Sequence, residues 1–265
     1  MPLFFYIVIF IFGLAVGSFL NCVIYRLEIK KSFFWGRSFC PNCKHNLVWE
    51  DLIPVLSFLF LKGKCRYCGQ KISFQYPLVE LATAILFVLI ADYTSFTNGY
   101  SFLDFIFIGY CLVSASFLII IFVYDFKYYI IPDKVIFPAI LVALIYNLFL
   151  LLFVPSSLPI ILNNFYSAIG AGLFFLLLFL ISHGKWMGFG DVKLTVFLGL
   201  FLGFPSIFVA LFLSFCFGAT IGIRLVILGK KTIKSELPFG PFLVAGTFIA
   251  LLWGERIFNW YFNLF

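Results

Sequence analysis

The sequence predicts an all-α, polytopic membrane protein of about eight transmembrane helices, with a small cytoplasmic zinc-binding domain between the first and second helices. Three observations predict it. Of 265 residues, 64% are hydrophobic and only 11% charged, and mean hydropathy is +1.14, a balance no ordinary soluble domain carries. The apolar residues fall in runs close to the ~20 that a helix needs to cross a bilayer. One stretch, 26–76, breaks that pattern, holding nine of the 18 Lys and Arg and four of the seven Cys. The chain therefore divides into a first transmembrane helix (1–25), a cytoplasmic four-cysteine domain (26–76) and a transmembrane core (77–265).

The first apolar run, Leu3 to Ile24, is too long for the apolar region of a signal peptide and lacks a basic segment before it. It reads as a retained helix, with Gly13 and Gly17 on one face for close packing and Arg26 where it leaves the bilayer. Seven further spans are expected at about 77–92, 101–124, 133–154, 165–182, 191–203, 206–228 and 239–262. The span at 191–203 is short for a full crossing. Basic residues orient the set. With 26–76 cytoplasmic, 17 of the 18 Lys and Arg lie on that side and only Arg256 on the other, while 93–100, 155–164 and 203–206 contain none. The net charge of +7 suits the anionic lipids of an inner leaflet. It is no sign of a nucleic-acid partner, because the basic residues do not decorate a soluble binding fold.

Cys22, Cys111 and Cys216 lie in apolar runs and read as small hydrophobic residues. The other four form Cys40-Pro-Asn-Cys43 and, after 21 residues, Cys65-Arg-Tyr-Cys68. Paired C-x2-C units have the spacing of a tetrahedral four-thiolate zinc site, and the cytoplasm disfavours disulfides. Four protein ligands leave no position for water, so the metal would be structural. His45 is a spare donor beside the cluster.

Two aspartates stand at the ends of apolar runs, where an ionisable group marks a functional site. Asp125 closes the run 117–124, and Asp191 opens the run 194–202 within Gly188-Phe-Gly-Asp191. The two glycines leave room for a substrate backbone to approach. Paired carboxylates at a membrane face can share one proton, which is the apparatus of an aspartic protease. A plain alternative is that each carboxylate caps a helix; that suits Asp133, directly after Pro132, better than Asp125 or Asp191. Lys193 stands where it could tune the pair or hold a lipid phosphate. Glu50, Asp51 and Glu236 are the acidic residues available to a basic substrate.

Taken together these motifs resemble the bacterial type IV prepilin peptidases, bifunctional leader peptidase/N-methyltransferases of pilus, type II secretion and competence systems. The resemblance covers nearly the whole chain. It is carried by Gly17-Ser-Phe-Leu-Asn21, Cys40-Pro-x-Cys43, Trp49-x-Asp51-x-Ile53-Pro54, Gly63-Lys-Cys65-Arg-x-Cys68 and Tyr76-Pro-Leu-Val-Glu80. Asp125-x6-Pro132-Asp133, Met187-Gly-Phe-Gly-Asp191-Val-Lys193 and Pro238-Phe-Gly-Pro241 complete it. The resemblance implies that Asp125 and Asp191 are catalytic and that the four cysteines bind zinc. It implies substrates that are prepilins or pseudopilins with a short basic leader, cut after glycine and before phenylalanine on the cytoplasmic face. The new amine would then be methylated from S-adenosylmethionine. Gly188, Gly190, Lys193, Pro238, Gly240 and Pro241 would shape the protease site, and Glu80 would belong with the methyltransferase. Glu28, Leu52 and Gln75 depart from the family's usual residues, all near the methylation segment. Two other readings stay open from the residues alone: a presenilin-like protease with other substrates, and a non-enzymatic zinc scaffold or transporter. Membrane lipids are the other expected partner; nothing in the sequence sets an oligomeric state.

Overall fold

The computed structural model of the protein describes residues 3–32, 36–98, 101–229 and 237–263, and nearly all regular structure in them is α-helical. In chain order the helices are α1 (Leu3–Glu28), α2 (Leu56–Phe60), α3 (Gln75–Asn98), α4 (Phe102–Tyr128), α5 (Asp133–Phe153), α6 (Leu158–Ser182), α7 (Phe189–Leu202), α8 (Ser206–Ile227) and α9 (Gly240–Phe262). All but α2 and α7 are long and apolar enough to cross a membrane. The chain forms two compact units, Met1–Ile120 and Ile121–Phe265.

In the first unit α1 and α3 pack face to face, because small residues let the backbones meet. A Cβ on Gly13 would stand 2.6 Å from Ala84 Cα, and one on Gly17 2.7 Å from Glu80 Cα. Asn21 Nδ2 continues the antiparallel register with a 3.0 Å hydrogen bond to the Tyr76 carbonyl. Lower in the pair, the Tyr6 hydroxyl donates to Asp92 at 2.6 Å, so a carboxylate within an apolar helix is not left alone. Outward-facing Phe4, Ile11, Leu78 and Ile85 are exposed, as a helix bathed in lipid requires.

The second unit is built around α7. Nine of its fourteen residues are buried, against four of the 22 in α8, so α7 is the core and its neighbours α5, α6 and α9 are the wall. Fourteen residues extend only about 21 Å at 1.5 Å per residue, short of the ~30 Å hydrocarbon layer. The short span expected at 191–203 is thus a helix enclosed by protein. Helix α6 begins at Leu158, seven residues before the expected 165. Asn163 and Asn164, expected in the loop 155–164, are instead satisfied inside the helix. Asn164 Nδ2 donates to Asn147 Oδ1 at 3.0 Å. Asn163 brackets the α7–α8 turn, donating to the Phe204 carbonyl at 2.7 Å and accepting from the Phe204 amide at 3.2 Å.

Candidate functional site

Three chain segments of the second unit converge on Asp125 and Asp191. Asp191 lies in the first turn of α7, whose N-cap is Gly188. Its amide donates to the Gly188 carbonyl at 3.1 Å, and its carboxylate in turn interacts with the Gly188 backbone, in the manner of a capping box. Asp125 lies at the opposite kind of terminus, one turn before the end of α4. Its Oδ2 accepts the Gly240 amide at 3.0 Å, and Gly240 is the first residue of α9. Each carboxylate is therefore held at the positive end of a helix. Both are buried, at 5% and 8% exposure. They are near enough for the charge of one to act on the other.

Gly240 has to be glycine for this geometry. A Cβ there would stand 2.6 Å from Asp125 Oδ2. Pro241 occupies the first turn of α9, where a missing amide costs nothing. Gly190 packs on the Ile131 side chain, so the loop before α7 is pressed against the segment that follows α4.

Asp133 and Lys193 are brought together, but with each other. Lys193 Nζ lies 2.6 Å from Asp133 Oδ1 and over the rings of Phe137 and Phe189, at 5.0 and 5.2 Å. The N-cap of α5 is Pro132, and Asp133 follows as the first helical residue. The carboxylate thus ties α5 to α7 through Lys193, where the sequence suggested a simple cap.

In the first unit, the Sγ atoms of Cys40, Cys43, Cys65 and Cys68 all lie within 4.8 Å of one another, with Cys40 and Cys68 at 4.0 Å. A tetrahedral zinc with bonds of about 2.3 Å sets its sulfurs about 3.8 Å apart, so the donor set fits that ion. The two halves are built alike. The Cys40 and Cys65 amides donate to the His45 and Gln70 carbonyls, and the Lys44 and Gly69 amides return to the Cys40 and Cys65 carbonyls. The residue after each second cysteine is left-handed, at φ 60° for Lys44 and φ 70° for Gly69. The Gln70 backbone favours the Cys68 thiolate, but desolvation and the Cys65, Cys43 and Cys40 thiols outweigh it and push Cys68 up to about 11. Four thiols so placed could hold a metal ion. His45 stacks on Tyr67, ring centroids 3.8 Å apart, and lies outside the cluster. Arg66 pairs with Glu50 and Asp51, each at 2.9 Å, so those two acids are engaged within the domain.

Comparison with known proteins joins these two sites. Residues 11–93 match the bacterial peptidase A24 N-terminal domain and residues 112–223 the type IV leader peptidase family. The chain is 34% identical to a prepilin leader peptidase/N-methyltransferase of Aeromonas salmonicida, over 98% of this chain and 95% of that protein. It is 35% identical to the protein of that name in Bacillus subtilis, over 97% and 98%. This chain belongs to the type IV leader peptidase family. The Pseudomonas aeruginosa relative of the same name is 31% identical, over 98% and 94%. No solved structure matches the chain.

In this family member the N-terminal match contains all four cysteines and Glu80, and the second match contains both aspartates. Pro238-Phe-Gly-Pro241, which supplies the Gly240 amide, lies beyond both matched segments. Glu80 is buried at the α1–α3 contact, where its Oε2 accepts the Val55 amide at 2.7 Å and Ser18 provides a second hydrogen bond. Arg26 is a structural residue that the sequence concealed. It is buried, and its guanidinium donates to the carbonyls of Ser32, Gly36 and Arg37, at 3.1, 2.7 and 3.0 Å. An arginine just after an apolar run reads as a positive flank; only the Ser32, Gly36 and Arg37 carbonyls, brought back to it by the tertiary fold, make it a clamp. Glu236, with Lys230, Lys231 and Lys234, lies outside the described residues.

Proposed function

We propose that this protein is a multi-pass inner-membrane endopeptidase that removes the leader of type IV prepilins or pseudopilins and N-methylates the new terminus. The observation that carries the peptidase half is the meeting of Asp125 and Asp191, each buried and each seated at a helix start. One carboxylate, ionised, takes a proton from water. The other, protonated, donates to the scissile carbonyl oxygen as the hydroxide attacks its carbon. The C–N bond then breaks and the departing amine nitrogen takes up the proton. The Gly188 and Gly240 backbones hold the two carboxylates in place; the bare Gly240 makes room for Asp125 itself, and the bare Gly188 leaves space for the substrate chain. Pro238 and Pro241 fix the turn that delivers the Gly240 amide.

The junction cut is of the Gly-Phe type, at the cytoplasmic face, with the substrate's apolar segment among the helices. That side follows from the distribution of Lys and Arg. The cluster of Cys40, Cys43, Cys65 and Cys68 holds one structural zinc, which fixes 26–76 as a folded domain. S-adenosylmethionine supplies the methyl group when bound. Glu80 belongs with this half, at the base of the cysteine domain. The test is incubation of the purified protein with a prepilin, with and without S-adenosylmethionine, read by intact mass. Loss of the leader in both arms and a further ~14 Da only with the donor is expected from a bifunctional enzyme. An unchanged prepilin with folded, zinc-loaded protein contradicts the proposal.

A further inference from the structure

The cysteine domain carries an apolar surface that its own fold leaves bare. Leu52, Ile53 and Leu56 are exposed, Leu59 is 62% exposed and Phe60 80%. A cluster of this kind is out of place on a water-facing domain. Its height relative to the membrane helices is fixed by three contacts within the first unit. The Val55 amide, at the start of α2, donates to Glu80, the sixth residue of α3. The Phe58 ring of α2 lies 5.3 Å from Phe74, the residue directly before α3. Asn21 holds Tyr76, the second residue of α3. From Asn21, α1 runs seven more residues to Glu28, about 10 Å at 1.5 Å per residue. With Glu80 opposite Gly17 and Tyr76 held by Asn21, helix α2 thus stands level with the entry of α3 into the bilayer, short of the end of α1, and not above it.

The backbone is bent to reach this position. Val55 has φ 60° and ψ −48°, an unfavourable conformation for a β-branched residue. Such strain persists only where the surroundings over-determine it; here the Glu80 hydrogen bond and the Phe58–Phe74 contact do so. Directly after α2 come the exposed cations Lys62 and Lys64, and an antiparallel bridge places Lys71 opposite Lys64.

We propose that residues 52–60 are an in-plane membrane anchor. Leu56, Leu59 and Phe60 enter the boundary between headgroups and acyl chains, and Lys62, Lys64 and Lys71 meet the phosphates of anionic lipid. Apolar side chains flanked by cations, at interface depth, are what such a surface binds. A water-facing role would leave the apolar cluster bare. The anchor pins the cysteine cluster to the membrane surface, and it does so whatever chemistry the protein performs.

The test places a benzoylphenylalanine photocrosslinker at Phe60 of the full chain, in vesicles of phosphatidylethanolamine and phosphatidylglycerol. Ile85, exposed on the spanning helix α3, is the lipid-facing reference, and Asn42, exposed on the first cysteine turn, the water-facing one. Intact mass after illumination should show phospholipid adducts at Phe60 within about threefold of Ile85, and at least tenfold fewer at Asn42. A crosslinker at Leu59 repeats the measurement should the Phe60 variant misfold. Lipid adducts at both Phe60 and Leu59 no more frequent than at Asn42 overturn the proposal. So does a product with the mass of two chains, since a second copy would then cover the face.

Discussion

Glu80 and Asp125 are two buried carboxylates in one chain, and each accepts a single backbone amide from a distant segment: Val55 at 2.7 Å and Gly240 at 3.0 Å. Both occupy apolar helices, where an isolated charge is costly. Their surroundings differ in one respect. Glu80 has a hydroxyl beside it, from Ser18, and its bond holds a strained turn in place. Asp125 has a second carboxylate, Asp191, near enough to feel its charge. Burial and a backbone hydrogen bond are what any carboxylate needs to exist inside a helix bundle. A second carboxylate serves no such need, since it adds repulsion. On the proposed reading, that repulsion marks the pair as the site of the chemistry, and Glu80, which lacks it, holds the turn at the base of the methyltransferase half.

Substitutions that preserve shape should separate the two. At the dyad, Asp125→Asn or Asp191→Asn keeps volume and much of the hydrogen bonding but removes proton transfer. Cleavage should fall by roughly 10²–10⁴-fold in each, with membrane abundance and metal content unchanged. At Glu80, glutamine still presents an oxygen to Val55. Leader removal by Glu80→Gln should stay within about threefold of the parent, on the fold-change scale of a small perturbation, while methylation drops. A loss of cleavage equal to that of the dyad variants would erase the distinction drawn above.

Gly240→Ala sharpens the comparison from the other side. Its Cβ would push Asp125 off the Gly240 amide, so cleavage should fall about tenfold or more, the cost of misplacing a reacting group by a fraction of an ångström. Normal cleavage by a well-folded Gly240→Ala would show that this contact does not position Asp125. A serine at Cys40, Cys43, Cys65 or Cys68 should lower bound metal and open 26–76 to added protease. Cleavage should persist, at reduced methylation. A domain that stays compact with no stoichiometric metal would remove the zinc reading. The smallest effect is expected at Asp133→Asn. Its pair with Lys193 is largely exposed on the Asp133 side, and such pairs contribute ~0.2–1 kcal/mol, so thermal stability should shift slightly and cleavage should survive.

Much of this was legible in the sequence because it is periodic or local. Among the described residues apolar runs find eight of the nine α-helices, with α6 starting seven residues earlier and α3 ending six residues later than expected, and C-x2-C spacing places the four thiols. The start of α6 was not legible because the partners that satisfy Asn164 and Asn163 inside it, Asn147 and Phe204, are far away in the chain. Lys193 could have served the dyad or a lipid; only packing of α5 on α7 assigns it to Asp133. Helix α2 hid for a related reason. Five residues carry no usable period, and its place is set by Glu80, 25 residues from Val55. Gly240 stood in a recognisable motif, but that its amide would meet Asp125, 115 residues earlier, is a fact of tertiary structure alone.

The most direct measurement is leader removal by Asp125→Asn, Asp191→Asn, the double variant and Asp133→Asn, at matched membrane abundance and with zinc retained, read by intact mass of the prepilin. If Asp125 and Asp191 act as one unit, both single variants leave the leader attached, the double variant is no worse than either, and Asp133→Asn cleaves. Robust cleavage by Asp125→Asn or by Asp191→Asn, or an inactive but abundant Asp133→Asn, contradicts the pairing.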